Sequence, residues 1–291
     1  MKSRTKIWLG VGAFVVAGAG IGTGPSDATE RPAPGALLDA ARVSDIAITR
    51  ALGVHSHVAA AKQEGGEGDE GGAKGAAQLP PDLNFELRIA QIRGHLLVGD
   101  ELVKAGQWAA ALPHFLHPGE EIYGGIRASL KDYNTPPFAA ALKLLANAVK
   151  SKKGGEEYAN ALKTVNDALD AADAGVKAKQ QNWDSFTVES ALELLKSATN
   201  EYEQAIVKGR IAKPVEYQDS RGFVWQAEKM IEGVAPALEK KDADALKRVR
   251  DALAELKKAW PTAMAPKTPV KDYAAVLSDV SRIELSAGKL M

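Results

Sequence analysis

Apolar residues recur at spacings of three and four along most of the chain from Leu83 onward. This period is typical of amphipathic α-helices. In the first such segment one helical face carries the apolar or small residues Phe85, Ile89, Ile92, Leu96, Gly99 and Val103. Gly106 follows and is a typical helix stop. No segment alternates apolar and polar residues convincingly enough to predict a strand.

Similar stripes follow, separated by short polar loops. They predict helices over residues 158–176, 188–206, 214–240, 246–260 and 271–287. Short connections between long amphipathic helices are typical of antiparallel neighbours. We therefore expect an all-α protein, with a helical hairpin over residues 83–135 and an antiparallel helical bundle over residues 136–291. The predicted core includes Ile92, Leu96, Phe115, Leu162, Leu192, Leu195, Leu253 and Leu256.

The N-terminus has the pattern of an export signal. A start with three basic residues precedes an apolar run over residues 7–21, and Ser26-Asp27-Ala28 gives a small-x-small cleavage pattern. The run is shorter than the ~20 apolar residues of a membrane-spanning helix. We expect residues 1–28 to direct bacterial export to the periplasm or beyond, with no membrane insertion after removal. The alternative is a membrane anchor formed by an uncleaved N-terminal segment.

Residues 29–82 differ in composition from the rest of the chain. Gly, Glu and Asp dominate the stretch from Glu64 to Gly75, which predicts a flexible low-complexity arm. His55 and His57 lie just before this stretch. They could hold a metal loosely or simply lie at a solvated helix end.

Charge and composition exclude several functions. Lys plus Arg equals Asp plus Glu, at 37 each, which argues against a nucleic-acid partner bound through bulk positive charge. The absence of cysteine excludes disulfides, thiolate catalysis, Cys-ligated zinc and iron–sulfur clusters. The chain also lacks a nucleophile elbow, a phosphate loop following a strand and a zinc-protease motif. We therefore expect no enzymatic activity.

Three of the five histidines, His95, His114 and His117, lie close together in the sequence. If one helix ran through Pro118, then His114, His117 and Glu121 would lie within about 60° of one face. Two imidazoles and a carboxylate suit iron, zinc, copper or manganese. The alternative is structural, because Pro118 can begin a new helix that His117 caps.

A second candidate segment follows Pro214. Glu216 and Asp219 would share one helical face, as paired carboxylates do in metal-binding bundles. The alternative is an acidic helix N-terminus followed by an ion pair of Arg221. We predict that the three histidines converge with carboxylates from Glu121, Glu216 or Asp219 to bind a divalent metal or iron.

The stretch "VGDELVKAGQWAAALPHF" resembles one tetratricopeptide hairpin. Gly99 and Ala111 match the small positions where its helices cross, Gly106 and Trp108 match the turn, and Phe115 matches the aromatic of the second helix. The resemblance occurs once, whereas about three stacked repeats are normally needed. It implies similar local packing and an alternative function as a protein–protein interaction scaffold without metal.

The two candidate segments together resemble exported helical-bundle proteins of bacterial iron uptake. These are the imelysin-like group and the periplasmic domains associated with iron permeases. Gly94 and His95 fit the glycine–histidine pair of such proteins, but Val98 stands where a G-x-H-x-x-E pattern has glutamate. The resemblance implies a non-catalytic metal-binding or metal-uptake accessory protein, with iron the favoured metal. It also implies a membrane permease or another exported protein as partner.

Overall fold

The computed structural model describes residues 79–291. Their structure is helical almost throughout, so the all-α prediction is confirmed. The first five helices are α1 (Pro81–Lys104), α2 (Trp108–His117), α3 (Tyr123–Ile126), α4 (Ala139–Lys150) and α5 (Gly155–Lys177). A π-helical turn (Pro118–Ile122) joins α2 to α3, and a 3₁₀ turn (Leu130–Tyr133) precedes α4.

Three further helices follow. They are α6 (Trp183–Ala205), α7 (Pro214–Leu256) and α8 (Tyr273–Ala287), with a 3₁₀ turn (Lys257–Ala259) after α7. Between α6 and α7, β1 (Ile206–Val207) and β2 (Arg210–Ile211) form a small antiparallel hairpin. The sequence predicted only a polar loop there. Left-handed backbone at Lys208 and Gly209 closes this turn.

The predicted stop at Gly106 is confirmed. Gly106 has φ +74°, and its N–H donates to the carbonyl of Val103. The N–H of Gln107 donates to the carbonyl of Leu102. These two bonds form a Schellman motif, which satisfies the last carbonyls of α1 and reverses the chain into α2.

Helix α7 consists of two parts joined at Asp242, whose backbone is extended (φ −158°, ψ 93°). The Asp242 carboxylate accepts a hydrogen bond from the N–H of Ala245 at 2.8 Å, as an N-cap does. This kink separates the two helices that the apolar stripes predicted. Helix α6, the two parts of α7 and α8 therefore supply four helical segments.

The core has two clusters of buried residues. One lies mainly among α6, α7 and α8, and the other mainly among α1 to α5. Helix α1 contributes to both, through Leu87 and Ala90 on one side and Ile89 and Ile92 on the other. Seven of the eight predicted core residues are buried, and Leu162 is half-buried.

Several predictions stay predictions. The export signal, His55, His57 and almost all of the arm lie outside the described residues, and the division at residue 135 is not decided by the two clusters. Helix α1 begins at Pro81, two residues before the predicted start of the hairpin. Among residues 79–291, no helix is both long and apolar enough to span a bilayer.

Candidate metal centre

The candidate site lies where α1 crosses α7. The two helices touch through their backbones at Gly94 and Gly222, because a Cβ on Gly222 would lie 2.3 Å from the carbonyl oxygen of Gly94. A Cβ on Gly94 would in turn lie 2.5 Å from the ring of Phe223. This close approach brings His95, next to Gly94, towards Asp219, one helical turn before Gly222.

A second close crossing brings α2 to the same place. A Cβ on Gly99 would lie 2.7 Å from the ring of Phe115 and 3.2 Å from Cβ of His114. Ala111, one turn before Phe115 on α2, is fully buried. Small residues at these positions therefore let α2 pack against α1 closely enough for His114 to face His95.

Three polar side chains converge at these crossings. His95 Nδ1 lies 2.7 Å from Asp219 Oδ1, and His114 Nδ1 lies 2.6 Å from the same oxygen. All three side chains are completely buried. One ligand atom from each lies within 4.8 Å of the other two, so the group could hold a metal ion.

His117 borders this group and is its partly exposed neighbour. Its Nδ1 lies 3.6 Å from Asp219 Oδ2, and its side chain is 15% exposed. Its ring centre lies 5.5 Å from that of His95 and 6.5 Å from that of His114. The predicted convergence of the three histidines on Asp219 is therefore present in the structure.

The three histidines support the negative charge of Asp219. Its complete burial raises the pKa of its carboxyl, but the positive charges that His95 and His114 carry when protonated outweigh this effect. The hydrogen bond from His114 and the approach of His117 act in the same direction. The net result is a pKa well below the usual range, so Asp219 is a carboxylate at neutral pH.

Two residues beside Asp219 hold the cluster in place. Gln218 Oε1 lies 3.0 Å from His114 Nε2, so oxygens face both ring nitrogens of His114 and fix its orientation. Arg221 forms two hydrogen bonds to the Glu101 carboxylate, at 3.0 and 2.9 Å, which tie α7 to α1. The sequence predicted the Arg221 ion pair as an alternative, but it gave no indication of Gln218.

The alternative in which His117 caps a new helix at Pro118 is wrong. His117 and Pro118 both have right-handed helical backbone, and the helix continues into the π turn. The N–H of Tyr123 donates to the carbonyl of Pro118, five residues earlier. A wider turn tolerates the missing N–H of proline, which explains why the chain does not break there.

The other two predicted carboxylates lie outside the three-residue group. Glu216 is half-buried, and its carboxylate forms an ion pair with Lys213 at 3.0 Å. Glu121 lies on the π turn and is half-buried. Asp219 is the carboxylate that converges with His95 and His114.

The comparisons with known proteins concern the second half of the chain. Residues 177–291 match the family model of the iron permease-associated 4-helix bundle domain. The match confirms the resemblance to helical-bundle proteins of iron uptake, and it covers α6 to α8 with their four helical segments. Asp219 lies within the matched residues, whereas His95 and His114 precede them. No curated protein and no solved structure matched the chain.

Proposed function

We propose that this protein is an exported, non-catalytic metal-binding accessory of metal uptake, with iron as its favoured metal. One observation carries the proposal: His95, His114 and Asp219 present buried ligand atoms within 4.8 Å of one another. The match of residues 177–291 to an iron permease-associated domain supports iron in particular.

The chemistry of the group suits a transition metal. Imidazole nitrogens with a carboxylate oxygen bind iron, zinc, copper and manganese. The ion would replace the protons between Asp219 Oδ1 and the Nδ1 atoms of His95 and His114. Gln218 would remain on the far nitrogen of His114 and keep that ring oriented, as outer partners of metal ligands do.

Burial supports binding over catalysis. The side chains of His95, His114 and Asp219 are inaccessible to solvent, so a substrate from solution could not reach them in this conformation. Only His117, at the edge, is partly exposed, and ions would enter and leave past it. A carrier that receives an ion and passes it to a membrane permease or another exported protein fits this arrangement.

Elemental analysis tests the proposal directly. The full chain, made without a histidine tag, is incubated with iron, zinc or copper and then dialysed. We expect about one ion to remain per chain, and much less in an Asp219→Asn variant. The control is Glu216→Gln, which removes a carboxylate of the same helix outside the group. Equal metal contents in all three proteins, or none in the parent, would contradict the proposal.

One observation favours the scaffold as a second candidate function. An apolar groove next to the α1–α2 hairpin is lined by Trp108, Val103, Tyr158 and Leu162. Tyr123 is buried and packs edge-on against Phe138, with ring centres 4.9 Å apart. A Trp108→Ala variant that loses a bound partner but keeps its metal would favour this function.

A further inference from the structure

A second group of carboxylates lies away from the histidines, beside a cavity of about 260 Å³. Glu86 and Arg93 of α1, Asp170 and Asp173 of α5, and Gln226 of α7 line this cavity. Trp183 and Thr187 of α6 also border it. Side-chain oxygen atoms from helices that are far apart in the sequence therefore line the same cavity.

Two carboxylate oxygens here have no hydrogen-bond donor. Glu86 is 5% exposed, and its Oε2 atom is buried without a partner. Asp173 Oδ1 is buried in the same way. A buried carboxylate oxygen without a donor is costly, because it has given up its hydration and gained nothing in return. Such oxygens are therefore available to a positively charged ligand.

The charges around the cavity do not balance. Arg93 pairs with both Asp170, at 2.7 Å, and Asp173, at 2.6 Å, so one positive charge serves two carboxylates. Glu86 adds a third carboxyl group. Lys229 of α7 also borders the cavity, but Lys229 and Asp170 are both exposed, so the buried charges are those of Arg93, Asp173 and Glu86. The buried part of the site thus has fewer positive charges than carboxyl groups.

The protonation of Glu86 is consistent with this imbalance. Burial, followed by the negative charge of Asp173, raises the pKa of Glu86 to about 8, and the opposing effect of Arg93 is smaller. A proton therefore occupies the carboxyl group at neutral pH when no other cation is present.

We propose that this cavity is a second cation site, in which Glu86 and Asp173 bind a divalent ion that prefers oxygen ligands. The side-chain oxygens of Gln226 and Thr187 complete a set without nitrogen ligands, which suits manganese, calcium or magnesium better than zinc or copper. The inference is independent of the histidine cluster, whose three residues do not border this cavity.

Terbium luminescence gives a direct test, because Tb³⁺ prefers oxygen ligands and is sensitised by a nearby indole. Trp183 borders the cavity, so excitation of tryptophan in the untagged full chain should yield saturable Tb³⁺ emission. Mn²⁺ should displace Tb³⁺ and quench this emission. A Trp183→Phe variant should lose the emission but still bind Mn²⁺, measured by the loss of the free-ion signal in electron paramagnetic resonance.

Substitutions at the carboxylates locate the site. Removing a residue that only supports a metal ligand typically lowers metal affinity about 10–100-fold. Removing a ligand itself should cost at least as much, so Glu86→Gln and Asp173→Asn should each weaken Mn²⁺ binding at least about tenfold. The control Glu189→Gln, an exposed carboxylate of α6, should bind as the parent does. The double variant His114→Ala/His117→Ala should also bind Mn²⁺ as the parent does, which would show that the ion does not bind at the histidine site.

Two results would overturn the inference. One is the absence of saturable Mn²⁺ and Tb³⁺ binding in the parent. The other is binding that neither Glu86→Gln nor Asp173→Asn weakens, with the helical circular dichroism of both variants unchanged. In either case a proton is the only cation that the Glu86 carboxyl takes.

Discussion

Gly94 and Gly222 place the backbones of α1 and α7 in direct contact, since neither position has room for a Cβ. His95 and Asp219 face each other because of this contact, although they lie 124 residues apart in sequence. The candidate metal centre therefore depends on two residues that have no side chain to offer a metal.

Gly222→Ala should destabilise the protein and separate the two helices. Its new Cβ would overlap the carbonyl of Gly94, and overpacking of this kind typically costs about 1–3 kcal/mol. Chemical denaturation measures the loss, and metal affinity should fall with it.

The matched control is Gly233→Ala on the same helix, where a Cβ meets nothing within 4 Å. That variant should be as stable as the parent or up to about 1 kcal/mol more stable. Equal stability of the two variants would show that the crossing is not close.

Glu86 should make the stability of the protein fall as the pH rises from about 5 to 8. The unfolded chain releases the Glu86 proton near its ordinary pKa of 4.5, whereas the folded chain keeps it up to about 8. Between these values the unfolded state binds fewer protons, so each pH unit costs up to about 1.4 kcal/mol.

Denaturation of Glu86→Gln alongside the parent, with a chelator present, isolates this effect. The free energy of unfolding of the variant minus that of the parent should increase steadily as the pH rises from about 5 to about 8. A difference that does not change with pH would show that Glu86 titrates normally.

The histidine site should release its metal as the pH falls. Protons compete with the ion for the imidazole nitrogens, while Asp219 stays ionised because its pKa is held well below the usual range. Calorimetric titrations between pH 8 and pH 5 should show a steep loss of affinity at the acidic end. Affinity that holds constant down to pH 5 would mean that the ligands are not histidines.

The sequence predicted the helices well because their signals are local. The stop at Gly106 and the apolar stripes on either side of Asp242 depend on near neighbours alone. It also indicated the three histidines, since these lie close together in the chain. Pro118 was misjudged because a proline within a helix normally breaks it, and a π turn leaves no clear local pattern.

The remaining parts of the site depend on tertiary contacts. The choice of Asp219 over Glu216 follows from where α1 crosses α7, at the contact between Gly94 and Gly222. Both glycines are visible in the sequence, but nothing in the sequence indicates that they contact each other. Glu86 lies between the buried residues Phe85 and Leu87, and a single carboxylate in an apolar segment gives no hint of the cavity that it faces.

Calorimetric titration of the double variant His114→Ala/His117→Ala tests the central claim most directly. The untagged parent should bind iron, zinc or copper, and the variant should bind none of them while its helical spectrum stays intact. The matched control is His55→Ala/His57→Ala, which removes as many imidazoles from the arm and should bind as the parent does. If the His114/His117 variant binds these ions as tightly as the parent, or if the parent binds none, then the cluster of His95, His114 and Asp219 is not a metal site.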